Sequence, residues 1–122
     1  MITTEVIATL KHNTIRLSRK LYLFKNDGNI TFIIELQGIT YKFDGYGYCA
    51  SATIKKPNGE LIKIDNLPMD GNKIYLRFDK MHIDELGEVG EHLVQLSLHS
   101  DESKSDRLTL PIFSIHVQKP LK

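Results

Sequence analysis

Asn29-Ile30-Thr31-Phe32-Ile33-Ile34-Glu35-Leu36-Gln37 is the stretch on which the fold turns. Ile30, Phe32, Ile34 and Leu36 share one parity. Asn29, Thr31, Ile33, Glu35 and Gln37 share the other. Successive strand side chains point to opposite faces, so this pattern predicts a half-buried strand. Three further segments repeat it. Ala50, Ala52 and Ile54 alternate with Ser51, Thr53 and Lys55. Ile74, Leu76 and Phe78 alternate with Lys73, Tyr75, Arg77 and Asp79. Val94, Leu96 and Leu98 alternate with Gln95, Ser97 and His99. Four such segments indicate antiparallel sheets, each with one wet face.

The punctuation between them agrees. Lys56-Pro57-Asn58-Gly59-Glu60 is the strongest turn signal. Pro presets φ, Asn tolerates the second turn position, and Gly accepts the left-handed one. This predicts a hairpin from strand 50–56 to strand 61–65, with a bulge at Gly59. Asp70-Gly71-Asn72 predicts a turn into strand 73–79, and Asn26-Asp27-Gly28-Asn29 one between Leu21–Phe24 and Ile30–Leu36. Asp101 to Asp106 is a polar turn before the last strand.

That last strand, Arg107 to Gln118, changes phase. Leu108, Leu110 and Ile112 lie on one parity, Phe113, Ile115 and Val117 on the other, with Pro111 at the switch. Proline cannot donate to a ladder, so it marks an edge or a bulge. A bulge there turns Phe113, Ile115 and Val117 into the core. The alternative is a strand covered on both faces, the second by a partner. Helix is confined to Lys80–Leu86, about two turns stopped by Gly87, as a connection crossing between sheets. About eight short strands with at most one short helix predict an all-β sandwich, one domain over residues 1–122.

Composition narrows the function classes. A chain of 122 residues fits one domain and buries enough surface to fold without staples. Sixteen Lys plus Arg against fifteen Asp plus Glu leave a charge of +1, without the basic surplus of a nucleic-acid binder. Cys49 is the one cysteine, so no intrachain disulfide forms, which fits a cytosolic assembly compartment. No run approaches the roughly 20 apolar residues of a membrane helix. The N-terminus, Met1-Ile2-Thr3-Thr4-Glu5, lacks the basic start and apolar block of a signal peptide.

Candidate chemistry is sparse. His12, His82, His92, His99 and His116 show no short-spaced ligand pair of the kind zinc sites use, and they read as surface or rim residues. Asp84, Glu85, Glu88 and Glu91 lack the alternating calcium-loop pattern and read as a solvated connection. Cys49 lies beside a strand start with no triad signature, and reads as a small core residue. Gly45-Tyr46-Gly47 lacks the third glycine and following helix of a dinucleotide fingerprint. No catalytic residue, cofactor or metal site is expected. Tyr41, Phe43, Tyr46 and Tyr48 stand out, because four of the ten aromatics fall within eight residues. Aromatics give large contact area at low entropy cost, so they form a candidate contact loop. Stacking on a sugar is a second use, and packing under the loop a third.

The order of these motifs resembles a known family. Asp27-Gly28 leads into Ile30–Leu36, and a glycine-aromatic loop follows. Next come Ala52-Thr53-Ile54-Lys55-Lys56-Pro57-Asn58-Gly59 and Gly90-Glu91-His92-Leu93-Val94-Gln95-Leu96. The chain closes on Ile112-Phe113-Ser114-Ile115-His116-Val117. This resembles the N-terminal domain of the phage baseplate upper protein family, found in the tail tips of phages of Gram-positive bacteria. The resemblance runs over nearly the whole chain. It implies an immunoglobulin-like antiparallel β-sandwich without enzyme activity, a homo-oligomer that joins the receptor-binding apparatus to other baseplate or tail-tip proteins. It places the chain in the phage tail, or in the host cytoplasm during assembly, with no nucleic-acid or membrane partner. Family members continue into a helical linker and a receptor-binding module, whereas this sequence has only Gln118–Lys122 after the last strand. The alternative function is a non-catalytic carbohydrate-binding or generic immunoglobulin-like interaction module.

Overall fold

The computed structural model describes residues 2–38, 48–100 and 107–121, with only the backbone of Tyr48 and Ser100. The described residues form eleven strand segments and one helix in two layers. The first sheet runs in the order β2 (Thr14–Leu17), β1 (Ile2–Lys11), β4 (Ile30–Gln37), β8 (Lys73–Phe78), β7 (Met69–Asp70). The second runs β3 (Leu21–Phe24), β11 (Phe113–Gln118), β9 (Gly90–Ser100), β5 (Tyr48–Lys55), β6 (Leu61–Leu67), with β10 (Arg107–Thr109) also on β9. The all-β sandwich expected from the alternation is present, in eleven described strand segments rather than about eight.

The expectation of antiparallel sheets needs correction, because both sheets are mixed. β1 runs parallel to β4, from Ile2 opposite Ile30 to Thr9 opposite Gln37. β3 runs parallel to β11, from Ile115 opposite Leu21 to Gln118 opposite Phe24. Parallel neighbours need long crossovers. Here β2 and β3 supply the crossover between β1 and β4, and the body of the chain separates β3 from β11.

The predicted parity holds in the core. Phe32, Ile34 and Leu36 of β4 and Ile74, Leu76 and Phe78 of β8 are buried on the first sheet's inner face. Ala50, Ala52 and Ile54 of β5 and Val94, Leu96 and Leu98 of β9 are buried on the second. The rings of Phe32 and Phe78 meet edge to face at 6.1 Å, a favoured aromatic geometry.

The turns follow their chemistry. At Lys56–Glu60 the Gly59 N–H donates to the Lys56 carbonyl, and the Lys56 N–H donates to the Glu60 carbonyl. Gly59 has φ of 92°, so it and Glu60 together face Lys56: the expected bulge. Gly71, at φ 60°, starts the two-residue loop joining β7 to β8. A second bulge lies in β6. Ala50 faces Leu67 while Ala52 faces Ile64, leaving one extra residue near Asn66, which has φ of 58°.

The phase change at Pro111 is also a bulge. Leu108 and Thr109 face Leu98 and Ser97, and the Leu110 N–H donates to the Leu96 carbonyl. Phe113 then faces Val94. Three steps on one strand match two on the other, so Leu110, Phe113, Ile115 and Val117 are all buried, while Ile112 is 54% exposed.

The helix α1 (Lys80–Leu86) carries the chain from β8 in the first sheet to β9 in the second, as expected. Asp79 caps it. Its carboxylate accepts from the His82 N–H at 2.8 Å, and the Asp79 N–H donates back to His82 Nδ1 at 3.3 Å. This reciprocal box satisfies donors that a helix start leaves unpaired. Gly87, at φ 60°, ends the helix, and Ile83 and Leu86 bury its inner side.

Candidate interaction surfaces

Of the candidate contact loop, Tyr41, Phe43 and Tyr46 lie outside the described residues. The backbone of Tyr48 opens β5 opposite Ser100. The polar turn Asp101–Asp106 also lies outside the described residues.

The five histidines go to separate places. His12 sits in the β1–β2 turn at φ 57°, and His82 completes the helix cap. His116 on β11 stacks at 5.6 Å, tilted, on Tyr22 of β3. His92 corrects the surface reading, because it is only 1% exposed. Its Nδ1 lies 3.1 Å from the Gly90 carbonyl and its Nε2 3.2 Å from the Leu86 carbonyl. A neutral imidazole has one N–H and can donate to one of the two. Leu86 ends α1, whose last carbonyls have no partner within the helix. With its proton on Nε2, His92 ties the helix end to β9. Its pattern position matched the apolar residues Val94, Leu96 and Leu98, which was the signal that placed it inside.

Sequence reasoning also missed a neighbour of Cys49. The register sets Cys49 of β5 opposite His99 of β9, and the sulfur lies 3.5 Å from both ring nitrogens. Cys49 is half-buried on the outer parity of β5, not in the core between the sheets. Asp84 of the acidic connection pairs with Lys80 at 3.9 Å on the helix surface. Among the described residues, no three His, Cys, Asp or Glu side chains come together as a metal site would need. No described helix is long and apolar enough to cross a membrane.

Two grooves flank the segment that follows β2. One, of about 290 Å³, lies over the outer face of the first sheet among Glu5, Ile7, Arg19, Ile33, Glu35 and Lys73. The other, of about 420 Å³, lies where β2 meets β11, among Ile15, Leu17, Arg19, Lys20, Phe113 and His116. Both are open; the first mixes Glu5 and Glu35 with Arg19 and Lys73, whereas the second carries the cations Arg19 and Lys20 and no carboxylate. The second brings Ser18 and Ser114 into the same groove as His116, but among the described residues no hydrogen bond joins a serine hydroxyl to the imidazole, and Ser18 Oγ accepts from the Ile7 N–H.

The strand edges complete the interaction geometry. β6 closes one edge of the second sheet, interrupted by its bulge and carrying the Lys63–Asp65 ion pair at 3.6 Å. β2 closes one edge of the first sheet but covers only the far half of β1, from Ala8 to Lys11. The Ile2–Val6 half of β1 has β4 on one side and no strand on the other among the described residues.

No protein-family model matches the chain, and no curated protein matches it. Among solved structures, it is similar to the N-terminal domain of phage TP901-1 ORF48, with a TM-score of 0.65 at 11% identity. The match covers 98% of this chain and 100% of that one. At that identity the likeness is one of fold, and over nearly its whole length this chain has the fold of a phage protein's N-terminal domain.

Proposed function

We propose that this chain is a structural, non-catalytic domain of a phage or prophage baseplate or tail tip, and that it helps attach the receptor-binding apparatus. It acts as a single sandwich spanning residues 1–122 and works in the assembled tail. Its partners are other tail-tip proteins and further copies of itself, and Tyr41, Phe43, Tyr46 and Tyr48 serve as a contact loop. The observation that carries this reading is the end-to-end fold correspondence with a phage protein domain. The family resemblance of the turns and strands points the same way. Co-expression with the tail proteins encoded beside it, followed by size-exclusion chromatography with light scattering, tests it. The expected result is a stoichiometric complex holding several copies. A protein that stays monomeric at high concentration and elutes apart from every tail protein overturns it.

A further inference from the structure

The Ile2–Val6 half of β1 is a regular strand that has no strand on one side among the described residues. The Ile2 N–H donates to the Asn29 carbonyl of the neighbouring chain segment at 3.3 Å. In a parallel ladder the bonding residues alternate, so Ile2, Thr4 and Val6 bond towards β4. The odd residues must then face the opposite way. Ile7 shows this directly. Its N–H donates to Ser18 Oγ at 2.9 Å, and its carbonyl accepts from the Ser18 N–H at 2.8 Å. Beyond Ser18 the chain leaves for the second sheet. The N–H and C=O groups of Thr3 and Glu5 therefore project from an edge that no described strand covers, in line with β2.

Sheet edges are commonly blunted by bulges, prolines or lysines. The edge at β6 has a bulge and the Lys63–Asp65 pair. At β3, the Phe24 N–H is taken by the Asp27 carboxylate at 3.1 Å. At β8, the Tyr75 N–H is taken by the Pro68 carbonyl at 3.0 Å. Ile2-Thr3-Thr4-Glu5-Val6 has no bulge, proline or lysine and a single charge, Glu5, and its Ile, Thr and Val residues favour extended backbone.

The side chains indicate what fits. On the core parity of β1, Val6 and Ala8 are buried, but Ile2 is 63% exposed. The inner face is thus uncovered at this end, which calls for apolar residues on that side of an added strand. On the outer parity, Glu5 is exposed and has no ion-pair partner among the described residues, which calls for a cation opposite.

We propose that the Ile2–Val6 edge of β1 binds an extended segment of a partner protein, apolar on one face and basic on the other, as an added strand. The inference deepens the assembly reading by naming the surface and the chemistry of what sits on it. Strand addition takes its affinity from main-chain bonds and its selectivity from alternate side chains.

The test uses the whole chain, labelled with ¹⁵N, and two capped hexapeptides, one alternating Lys and Val and one alternating Glu and Val. Amide exchange is read residue by residue. The Lys–Val peptide should slow exchange at Thr3 and Glu5 at least about tenfold, while Thr4 and Val6, already bonded to β4, change little. It should bind about two- to fivefold more tightly than the Glu–Val peptide, the size of one cross-strand charge pair. Glu5→Gln should erase that preference. Thr3→Pro removes one outward donor without cutting the β4 ladder, and should abolish the protection while the rest of the spectrum stays in place. The proposal is overturned if Thr3 and Glu5 exchange freely at millimolar peptide, if protection falls on β6 instead, or if Thr3→Pro changes nothing. A chain that assembles with tail proteins while these two amides stay unprotected keeps the proposed function and loses this edge. Peptide protection here without any tail assembly does the reverse.

Discussion

Deleting Ile112 should be tolerated, although it lies between two strands of the core. Leu110 stands opposite Leu96 and Phe113 opposite Val94, so one residue is in excess there. Ile112 is that excess, and it is 54% exposed. Without it, Leu110 and Phe113 become regular neighbours of the same parity. Leu110, Phe113, Ile115 and Val117 all stay inside. Pro111 then faces Gln95 with its missing N–H turned away from β9, since Leu110 is the residue bonded to β9. The loss should be no more than about 2 kcal/mol, the scale of an ordinary single change. Deleting Gln95, on the facing strand, should behave differently. β9 pairs with β5 without a break from Tyr48–Ser100 to Lys55–Leu93, so there is no slack to absorb the gap. Either Leu96 and Leu98 turn outward, at about 1.5–3 kcal/mol each, or Glu91 turns into the core. The first route alone removes about 3–6 kcal/mol from a total near 5–15 kcal/mol. Urea unfolding followed by far-ultraviolet circular dichroism separates the two. Equal losses for the two deletions would refute the register argument.

Three further outcomes follow from the geometry. Gly38 has φ of 78°, and a Cβ there would lie 2.4 Å from the Leu10 carbonyl oxygen, whereas a Cβ on Gly59 would meet nothing within 4 Å. Gly59→Ala should therefore cost only the left-handed strain of about 1–2 kcal/mol, and Gly38→Ala that plus about 1–3 kcal/mol for the clash, both read from urea midpoints. Asp79→Ala should cost about 1 kcal/mol by removing the helix cap, with faster amide exchange confined to the start of α1. His92→Leu keeps a buried apolar group but leaves the Leu86 and Gly90 carbonyls without the ring, so it should cost about 1–3 kcal/mol and loosen the end of α1. A His92→Leu variant as stable as the parent would show that the ring is only filler.

Much of this fold is legible because local chemistry decided it. Helix 80–86 carries its stop at Gly87 and its position between two alternating strands. The Pro57-Asn58-Gly59 turn specifies its own bulge. The parity switch at Pro111 specified another, because four buried side chains could not otherwise share one face. The parallel pairings of β1 with β4 and β3 with β11 were not legible, since a strand's alternation is the same whichever way its neighbour runs. The β6 bulge at Asn66 was hidden as well, since it falls inside the strand with no glycine there and Pro68 only after the strand's end. For the interaction surfaces, the sequence singled out the tyrosine-rich segment, whose residues 41–47 lie outside the described ones. The Cys49–His99 pair depends on the register of two strands fifty residues apart, and the open half of β1 depends on where β2 stops. Neither is written in any short motif.

The most direct test of the account is the fate of this chain in tail particles. If the proposed function holds, phage tails purified from a lysate of the source that encodes the chain, digested and analysed by quantitative mass spectrometry, should contain it in several copies per particle. Its signal should stay with the tail tip when tips are separated from tubes. Its absence from tails that still carry their other tip proteins would contradict the account.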